Sequence, residues 1–298
     1  MEPWLGPTGR EVLPGCALVH ADVYNWLAEL PERSIHAVVT DPPYGGIEYE
    51  AADLDKLRSG RGGVWRIPPT LDGVRRSPVP RFTVLRPADE DRLREQFRAL
   101  GAALFRVLVP GAHVLVASQP LLASWVFEAI AESGLERRGA VIRAVQTLRG
   151  GDRPKNAHLE FPDVTVMPRS GWEPWGLFRA PLDGTVAQTL RTWGTGGLRR
   201  PSADQPFRDL IPCAPTRPAE RALAPHPSLK PQRFLRQVVR AVLPLGRGVV
   251  LDPFAGSGST VAAAAAVGYR AVGVERDPQY AALALDAIPK LAALPDRP

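Results

Sequence analysis

Cysteine, lysine and long apolar runs are all scarce in this chain of 298 residues. The two cysteines, Cys16 and Cys213, lie far apart and form no CxxC pair, which argues against a disulfide framework and against a zinc site. No apolar run approaches the roughly 18 residues of a membrane span, and the first fifteen residues lack the basic-then-apolar pattern of a secretory signal. We therefore expect a cytoplasmic protein with no metal and no membrane partner.

The basic charge comes almost entirely from arginine. Lys and Arg together number 37 against 31 Asp and Glu, and only four of the 37 are lysines. The resulting net charge of +6 suits a nucleic-acid partner, but a GC-rich genome also favours arginine, alanine and proline. The positions of the arginines are therefore more informative than their number.

Short β-branched runs alternate with segments of helical apolar spacing, which predicts an α/β domain with a mostly parallel sheet. Strands are predicted at 16–22, 35–40, 113–118, 139–148, 163–167, 248–254 and 270–277. Helices are predicted at 23–34, 89–111, 121–134, 232–243, 259–268 and 278–288. Two stretches break the pattern: the Gly-, Arg- and Pro-rich segment 45–87, and the segment 170–224, which we interpret as an irregular insertion carried by the scaffold.

A glycine turn follows the predicted strand at 248–254. "VVLDPFAGSGST" runs from a buried strand through Asp252, Phe254, Gly256 and Gly258 into an Ala-rich helix, as ligand-binding turns of α/β folds do. The dinucleotide fingerprint is incomplete, because Val261 stands where its third glycine would be. An acid at this turn repels a pyrophosphate but attracts an amino group, which favours S-adenosylmethionine over NAD.

A second acid lies at the end of the next strand. Glu275 comes seventeen positions after Gly258, about where such folds place an acid on the ribose hydroxyls. Alternatively, Glu275 is only a solvent-exposed acid at the end of a strand, and the sequence favours neither interpretation.

The first half of the chain carries another unusual turn. In "IHAVVTDPPYGG" a β-branched run ends in Asp41, Pro42, Pro43 and Tyr44. Together with "DPFAGSGST" and with the block formed by His226, Pro227, Lys230 and Pro231, this motif resembles those of the amino-methyltransferases that act on DNA bases. In that family Asp41 to Tyr44 match the catalytic motif, and the cofactor motif includes Asp252, Phe254, Gly256, Ser257 and Gly258.

The resemblance implies a fold as well as an activity. Because the catalytic motif precedes the cofactor motif, the chain is similar to the permuted "beta" group, with a circularly permuted, Rossmann-like seven-stranded methyltransferase sheet cut between strands 2 and 3. Residues 16–22 and 35–40 would be strands 3 and 4, and 248–254 and 270–275 strands 1 and 2. We expect 1–169 to be the catalytic half, 170–224 the target-recognition segment and 225–298 the cofactor-binding half.

The chemistry of the family explains the Asp-Pro-Pro-Tyr turn. The exocyclic amine of a base is a poor nucleophile, and acceptors from Asp41 and the Pro42 carbonyl would orient its lone pair toward the methyl group of S-adenosylmethionine. The two prolines stiffen the turn, and Tyr44 offers a stacking face for a base flipped out of duplex DNA. Further cofactor contacts are expected from Glu275, His226, Lys230 and Asp22, although Asp22 fits the N-cap of the following helix equally well.

Arginine-rich stretches are the candidate DNA contacts. In the segment 170–224 these are Arg179, Arg191, Arg199, Arg200 and Arg208; in 45–87 they are Arg58, Arg61, Arg66, Arg75 and Arg76. The alternative is that both stretches are solvated faces. Beyond double-stranded DNA, the resemblance raises a cognate restriction endonuclease and a second copy of the chain as candidate partners.

Three functions remain open on the sequence alone. Aspartate at position 41 favours the N6 amine of adenine, since many N4-cytosine enzymes of the family have serine there. Methylation of RNA or of a protein amide is a second interpretation, although those relatives more often have Asn in place of Asp41. A catalytically silent DNA-binding relative is the third, and the intact Asp41, Tyr44, Asp252 and Gly256 argue against it.

Overall fold

The computed structural model describes residues 9–43, 87–145, 153–154, 156–226 and 228–295. The segment 45–87 lies outside these ranges except for its last residue, and so do Tyr44 and the five arginines of that segment that were named as candidate DNA contacts. Within the described residues no helix is both long and apolar enough to cross a membrane.

The described residues form nine strands and eight helices. The strands are β1 (Gly9–Leu13), β2 (Cys16–His20), β3 (Ile35–Thr40), β4 (Leu108–Ala117), β5 (Glu136–Ala144), β6 (Trp172–Arg179), β7 (Leu210–Pro212), β8 (Val249–Asp252) and β9 (Arg270–Glu275). The helices are α1 (Val23–Glu29), α2 (Pro87–Val107), α3 (Ala123–Ala131), α4 (Val186–Trp193), α5 (Pro218–Leu223), α6 (Gln232–Val242), α7 (Ser259–Ala266) and α8 (Pro278–Ala292).

All nine strands belong to one sheet, in the order β1-β2-β9-β8-β3-β4-β6-β5-β7. The pairs β2–β9, β9–β8, β8–β3 and β3–β4 are parallel, and β6 is antiparallel to both of its neighbours. The predicted permuted methyltransferase sheet is confirmed: β2 and β3 come early in the chain, whereas β8 and β9 pair between them from its other end. β1 and β7 extend the seven-stranded core at its two edges.

Helices cover both faces of the sheet, as a mostly parallel sheet requires. On one face α1, α2 and α3 bury residues such as Trp26, Phe97 and Ile130. On the other, α6, α7 and α8 bury Phe234, Val261 and Ile288 among others. The β-branched strands between them are buried on both sides, which is why they read as continuous apolar runs in the sequence.

The prediction for 170–224 is wrong at its beginning. Residues 172–179 are not an irregular insertion but β6, hydrogen-bonded between β4 and β5. Trp175 is fully buried in the core of the sheet, with its ring centroid 5.1 Å from that of Phe234. The strand predicted at 163–167 is also wrong, because those residues form an irregular segment in which Val164 and Val166 are exposed.

Candidate active site

The catalytic turn follows β3 at the carboxyl edge of the parallel strands. β3 carries its buried residues up to Thr40, after which Asp41, Pro42 and Pro43 leave the sheet. The side chain of Asp41 is only 13% exposed. The strand thereby holds this carboxylate at the edge where ligands of α/β sheets bind.

The glycine turn follows β8, the strand beside β3, at the same edge. Gly256 and Gly258 have φ angles of +52° and +80°, a backbone region that favours glycine. A Cβ at Gly256 would come within 3.1 Å of the His226 ring, and one at Gly258 within 2.4 Å of Ile288 in α8. Gly256 therefore opens space beside His226, whereas Gly258 lets α7 begin in close contact with α8. Ser257 between them is buried.

A buried hydrogen bond joins the two turns. The hydroxyl of Thr40, the residue before Asp41, donates to Oδ1 of Asp252 at 2.8 Å. The amide of Phe254 donates to the same oxygen at 3.2 Å. Residues 212 positions apart in the chain are thus fixed relative to each other, and so are the catalytic and glycine turns.

Asp252 is one of the most deeply buried charged groups of the site, with an exposed fraction of 4%. Burial raises its pKa to about 6, although hydrogen bonds from Thr260, Thr40 and the Phe254 amide act in the opposite direction. The Asp252 carboxylate therefore already accepts hydrogen bonds from residues of the protein. Its contact with the amino group of a cofactor stays a prediction.

Two further acids lie where β9 and β2 end. Glu275 accepts a hydrogen bond from the Gly256 amide at 2.8 Å and one from the Asp277 amide at 2.7 Å, so it braces the glycine turn. Asp22 accepts from the amides of Tyr24 and Asn25, which confirms its prediction as the N-cap of α1. The amide of Ala21 donates to the Glu275 carbonyl at 3.1 Å, which brings the two acids to one point of the edge.

The His226–Pro231 block lies between the two turns. The ring of His226 contacts that of Tyr280 edge-on at 4.5 Å, and burial lowers the pKa of the imidazole despite the nearby Asp41. Lys230, predicted to contact the cofactor, instead places its Nζ 2.5 Å from Asp41 Oδ2 and 3.3 Å from Glu173 Oε1. Pro227 lies outside the described residues.

Glu173 and Arg143 are part of the site, although neither was predicted from the sequence. They face each other across β5 and β6, and Arg143 Nη1 lies 2.7 Å from Glu173 Oε2. Arg143 gave one signal in the sequence, because it is a charged residue inside a predicted apolar strand. Glu173 carried none, because β6 itself was not predicted.

Four of the arginines predicted to bind DNA lie away from Asp41: Arg179, Arg191, Arg199 and Arg200. β6 is antiparallel to β4, so its last residue, Arg179, lies at the end of β6 away from the carboxyl edge, where it pairs with His113 in the middle of β4. Arg179 is 8% exposed and its Nη2 lies 2.6 Å from Glu136 Oε2, so the described residues give it a partner within the fold, and its contact with DNA stays a prediction.

The other three arginines lie on a segment docked at the amino edge. The amide of Gly196 bonds the Gly111 carbonyl at 2.9 Å and the Thr195 hydroxyl bonds the Pro110 carbonyl at 2.5 Å. Arg199 donates to the hydroxyl of Tyr269, just before β9 begins. This segment, which also carries Arg191 and Arg200, therefore lies at the edge opposite to Asp41.

Comparisons with known proteins agree with the motifs. The N6/N4 methyltransferase family model, described as DNA methylase, matches residues 167–286. The type II methyltransferase M.HindIII of Haemophilus influenzae is 24% identical, over 87% of this chain and 91% of that protein.

Solved structures share the fold. TTHA0409 of Thermus thermophilus, in complex with S-adenosyl-L-methionine, is 22% identical with a TM-score of 0.54 and covers 93% of this chain and 95% of its own. The cytosine-N4-specific PvuII DNA methyltransferase is 13% identical with a TM-score of 0.56 and covers 94% and 86%. The resemblance predicted from the three motifs is confirmed: the chain is similar to DNA methyltransferases of the N6-adenine/N4-cytosine family.

Proposed function

We propose that this protein transfers a methyl group from S-adenosylmethionine to the N6 amine of an adenine flipped out of duplex DNA. The observation that carries the proposal is the hydrogen bond between Thr40 and Asp252, which fixes the catalytic turn beside the glycine turn at one sheet edge. A methyl donor held at one turn and an amine held at the other would then meet without a large movement of the scaffold.

The residues of the glycine turn fit the proposed cofactor. Gly256 leaves room beside the His226 ring that a Cβ would fill, and Glu275 and Asp22 lie at the strand ends where ribose and adenine are expected. S-adenosylmethionine, when bound, supplies an electrophilic methyl group on sulfur. Asp252 is the predicted partner of the amino group of S-adenosylmethionine. It would also support the cofactor site indirectly, by the hydrogen bonds that it accepts from Thr40 and the Phe254 amide.

The catalytic turn would orient the amine. A carboxylate oxygen of Asp41 and the carbonyl of Pro42 are acceptors for the two hydrogens of an exocyclic amine, and the proton that the amine loses on methylation would be held or taken by Asp41. Pro42 and Pro43 carry no N–H that would compete for these acceptors. We infer that Tyr44 stacks on the flipped base.

DNA would approach the carboxyl edge of the sheet, where Asp41 lies. Part of the predicted target-recognition segment reaches this edge: the Cys213 amide bonds the carbonyl of Ala144 at the end of β5, and Thr216 bonds the carbonyl of Leu229. Arg217 and Arg221 follow directly, with the Arg217 side chain 39% exposed. We therefore narrow the proposed recognition surface from 170–224 to residues 213–224, and keep segment 45–87 as a second proposed DNA contact.

Transfer of labelled methyl groups tests the proposal. The purified protein is incubated with tritiated S-adenosylmethionine and, separately, with duplex DNA, RNA and a protein extract, and the labelled DNA is digested to nucleosides. We expect label in DNA and its recovery as N6-methyladenine. Recovery as N4-methylcytosine would replace adenine by cytosine within the same mechanism, and label confined to RNA or protein would overturn the DNA substrate.

A further inference from the structure

Four buried charges form a continuous chain that ends on Asp41. Lys230 Nζ lies 2.5 Å from Asp41 Oδ2 and 3.3 Å from Glu173 Oε1. Arg143 Nη1 lies 2.7 Å from Glu173 Oε2. The four side chains are between 8% and 15% exposed, so water screens these charges far less than it screens surface pairs.

Three separate parts of the fold supply this chain. Asp41 comes from the catalytic turn and Lys230 from the segment before α6, while Arg143 and Glu173 are directly paired residues of β5 and β6. The guanidinium of Arg143 also lies 5.9 Å from the ring of Phe234, on α6. Arg143 is therefore fixed on two sides and can hold Glu173 in one position.

Alternating signs allow Glu173 and Lys230 to stay ionised although both side chains are largely buried. Burial raises the pKa of Glu173, but Lys230 and Arg143 outweigh it, so that the pKa lies below its usual value. Burial lowers the pKa of Lys230, but Asp41 and Glu173 outweigh that effect, and the pKa is raised. Lys230 is thus an ammonium shared between two carboxylates.

Removal of Glu173 would change the balance of charges around Asp41. Lys230 would then have Asp41 as its only carboxylate in this chain of charges, and two positive groups, Lys230 and Arg143, would face one negative group. The ammonium would be drawn onto Asp41, and the carboxylate would become a poorer acceptor for the hydrogens of an amine.

We propose that Glu173, held by Arg143, is a positioning residue that keeps Lys230 shared between two carboxylates and so keeps Asp41 placed and available for the amine. This inference rests on the proposed function, since it concerns the reactive carboxylate of that site. Neither residue belongs to the Asp-Pro-Pro-Tyr turn, the glycine turn or the His226–Pro231 block.

The same two strands contain a control pair. Glu136 and Arg179 form an ion pair of 2.6 Å between β5 and β6 at the opposite edge of the sheet. If strand-to-strand ion pairs only support the fold, Glu136→Gln and Glu173→Gln should affect activity alike. If Glu173 positions Lys230, only Glu173→Gln should lower the rate.

Steady-state transfer to plasmid DNA and equilibrium binding of S-adenosylmethionine test the proposal. For Glu173→Gln we expect a kcat roughly 10- to 100-fold below wild type, the scale of a small misplacement of reacting groups, with KM for DNA and affinity for S-adenosylmethionine little changed. Glu173→Asp keeps the charge and should restore part of the rate. A wild-type kcat in Glu173→Gln, or an equal loss in Glu136→Gln, would overturn the proposal.

A double variant separates action through Lys230 from any other effect. In a Lys230→Met background, Glu173→Gln should lower kcat no further, and a full additional loss would overturn the proposal. The urea midpoints of the same variants give a readout that needs no activity: coupled shifts support the pairing, and strictly additive shifts contradict it. If the wild-type protein methylates no DNA, the proposed function fails, while these midpoints still test the pairing itself.

Discussion

Changing Asp252 to Asn should stabilise the folded protein at alkaline pH, although Asp252 is part of the glycine-turn motif. In the folded state the carboxylate is 4% exposed and accepts hydrogen bonds from Thr40 and the Phe254 amide. Asparagine has the same shape, and its carbonyl oxygen can accept the bonds from Thr40 and the Phe254 amide. Its NH2 group can donate to the hydroxyl of Thr260, which donates to the Asp252 carboxylate and can also accept. The substitution therefore removes the cost of burying a charge and keeps the hydrogen bonds.

The magnitude follows from the pKa of Asp252. Burial raises it from 3.8 to about 6, so the folded state retains a proton that the unfolded chain has released. Stability from this group is present below the unfolded pKa and is lost as the pH rises through the folded pKa. A difference of about two pKa units corresponds to about 3 kcal/mol at pH 8 and to about 1 kcal/mol at pH 4.5.

Urea denaturation of wild type and Asp252→Asn at pH 8 and pH 4.5 measures these differences. We expect the variant to be more stable by up to about 3 kcal/mol at pH 8, with most of the gain gone at pH 4.5. The exposed Asp204 offers a matched control, and Asp204→Asn should change stability by less than about 0.5 kcal/mol at either pH. A variant that is no more stable at pH 8, or equally more stable at both pH values, would refute the assignment.

Two other substitutions test the packing of the site. Thr40→Val keeps the shape but removes the hydroxyl that bonds Asp252, and we expect about 1–3 kcal/mol of lost stability by urea denaturation; an unchanged midpoint would show that the two turns are not coupled in this way. Gly258→Ala places a Cβ within 2.4 Å of Ile288 at a φ of +80°, which should cost about 2–4 kcal/mol, whereas Gly197→Ala, with nothing within 4 Å of its Cβ, should cost far less. Equal losses in the two alanine variants would contradict the packing argument.

The order of the strands could be predicted because each parallel strand has a recognisable sequence pattern. β2, β3, β8 and β9 are short runs of buried β-branched residues that end in polar or turn residues, and the sequence of the motifs fixes how they are permuted. Helices such as α2 were equally clear, since Leu93, Phe97, Leu100 and Leu104 recur at helical spacing and are all buried.

β6 could not be predicted, because "WEPWGLFR" contains a proline, a glycine and two charges. The charged residues near its two ends form ion pairs with other parts of the fold. Glu173 pairs with Arg143 and Lys230, and Arg179 pairs with Glu136. The segment 163–167 shows the opposite error, because its alternating apolar residues find no neighbouring strand. Local pattern indicates a strand only when the rest of the fold provides a partner.

The residues of the site could be predicted from their motifs, but the contacts between them could not. Asp41 and Lys230 are 189 positions apart, and nothing local indicates that the lysine lies against the catalytic carboxylate. The position of the arginines could not be predicted for a related reason. An arginine-rich segment can face either edge of a sheet, and residues 190–200 dock at the amino edge through Gly196 and Thr195.

Asp41→Ala gives the most direct test of the central claim, that the carboxylate at the end of β3 acts on the amine of the base. The measurement pairs the affinity of the variant for S-adenosylmethionine with its rate of methyl transfer to DNA. We expect binding to be largely retained, because the glycine turn is braced by Asp252 and Glu275, and we expect transfer to be abolished. A variant that still methylates DNA at the wild-type rate would contradict this claim.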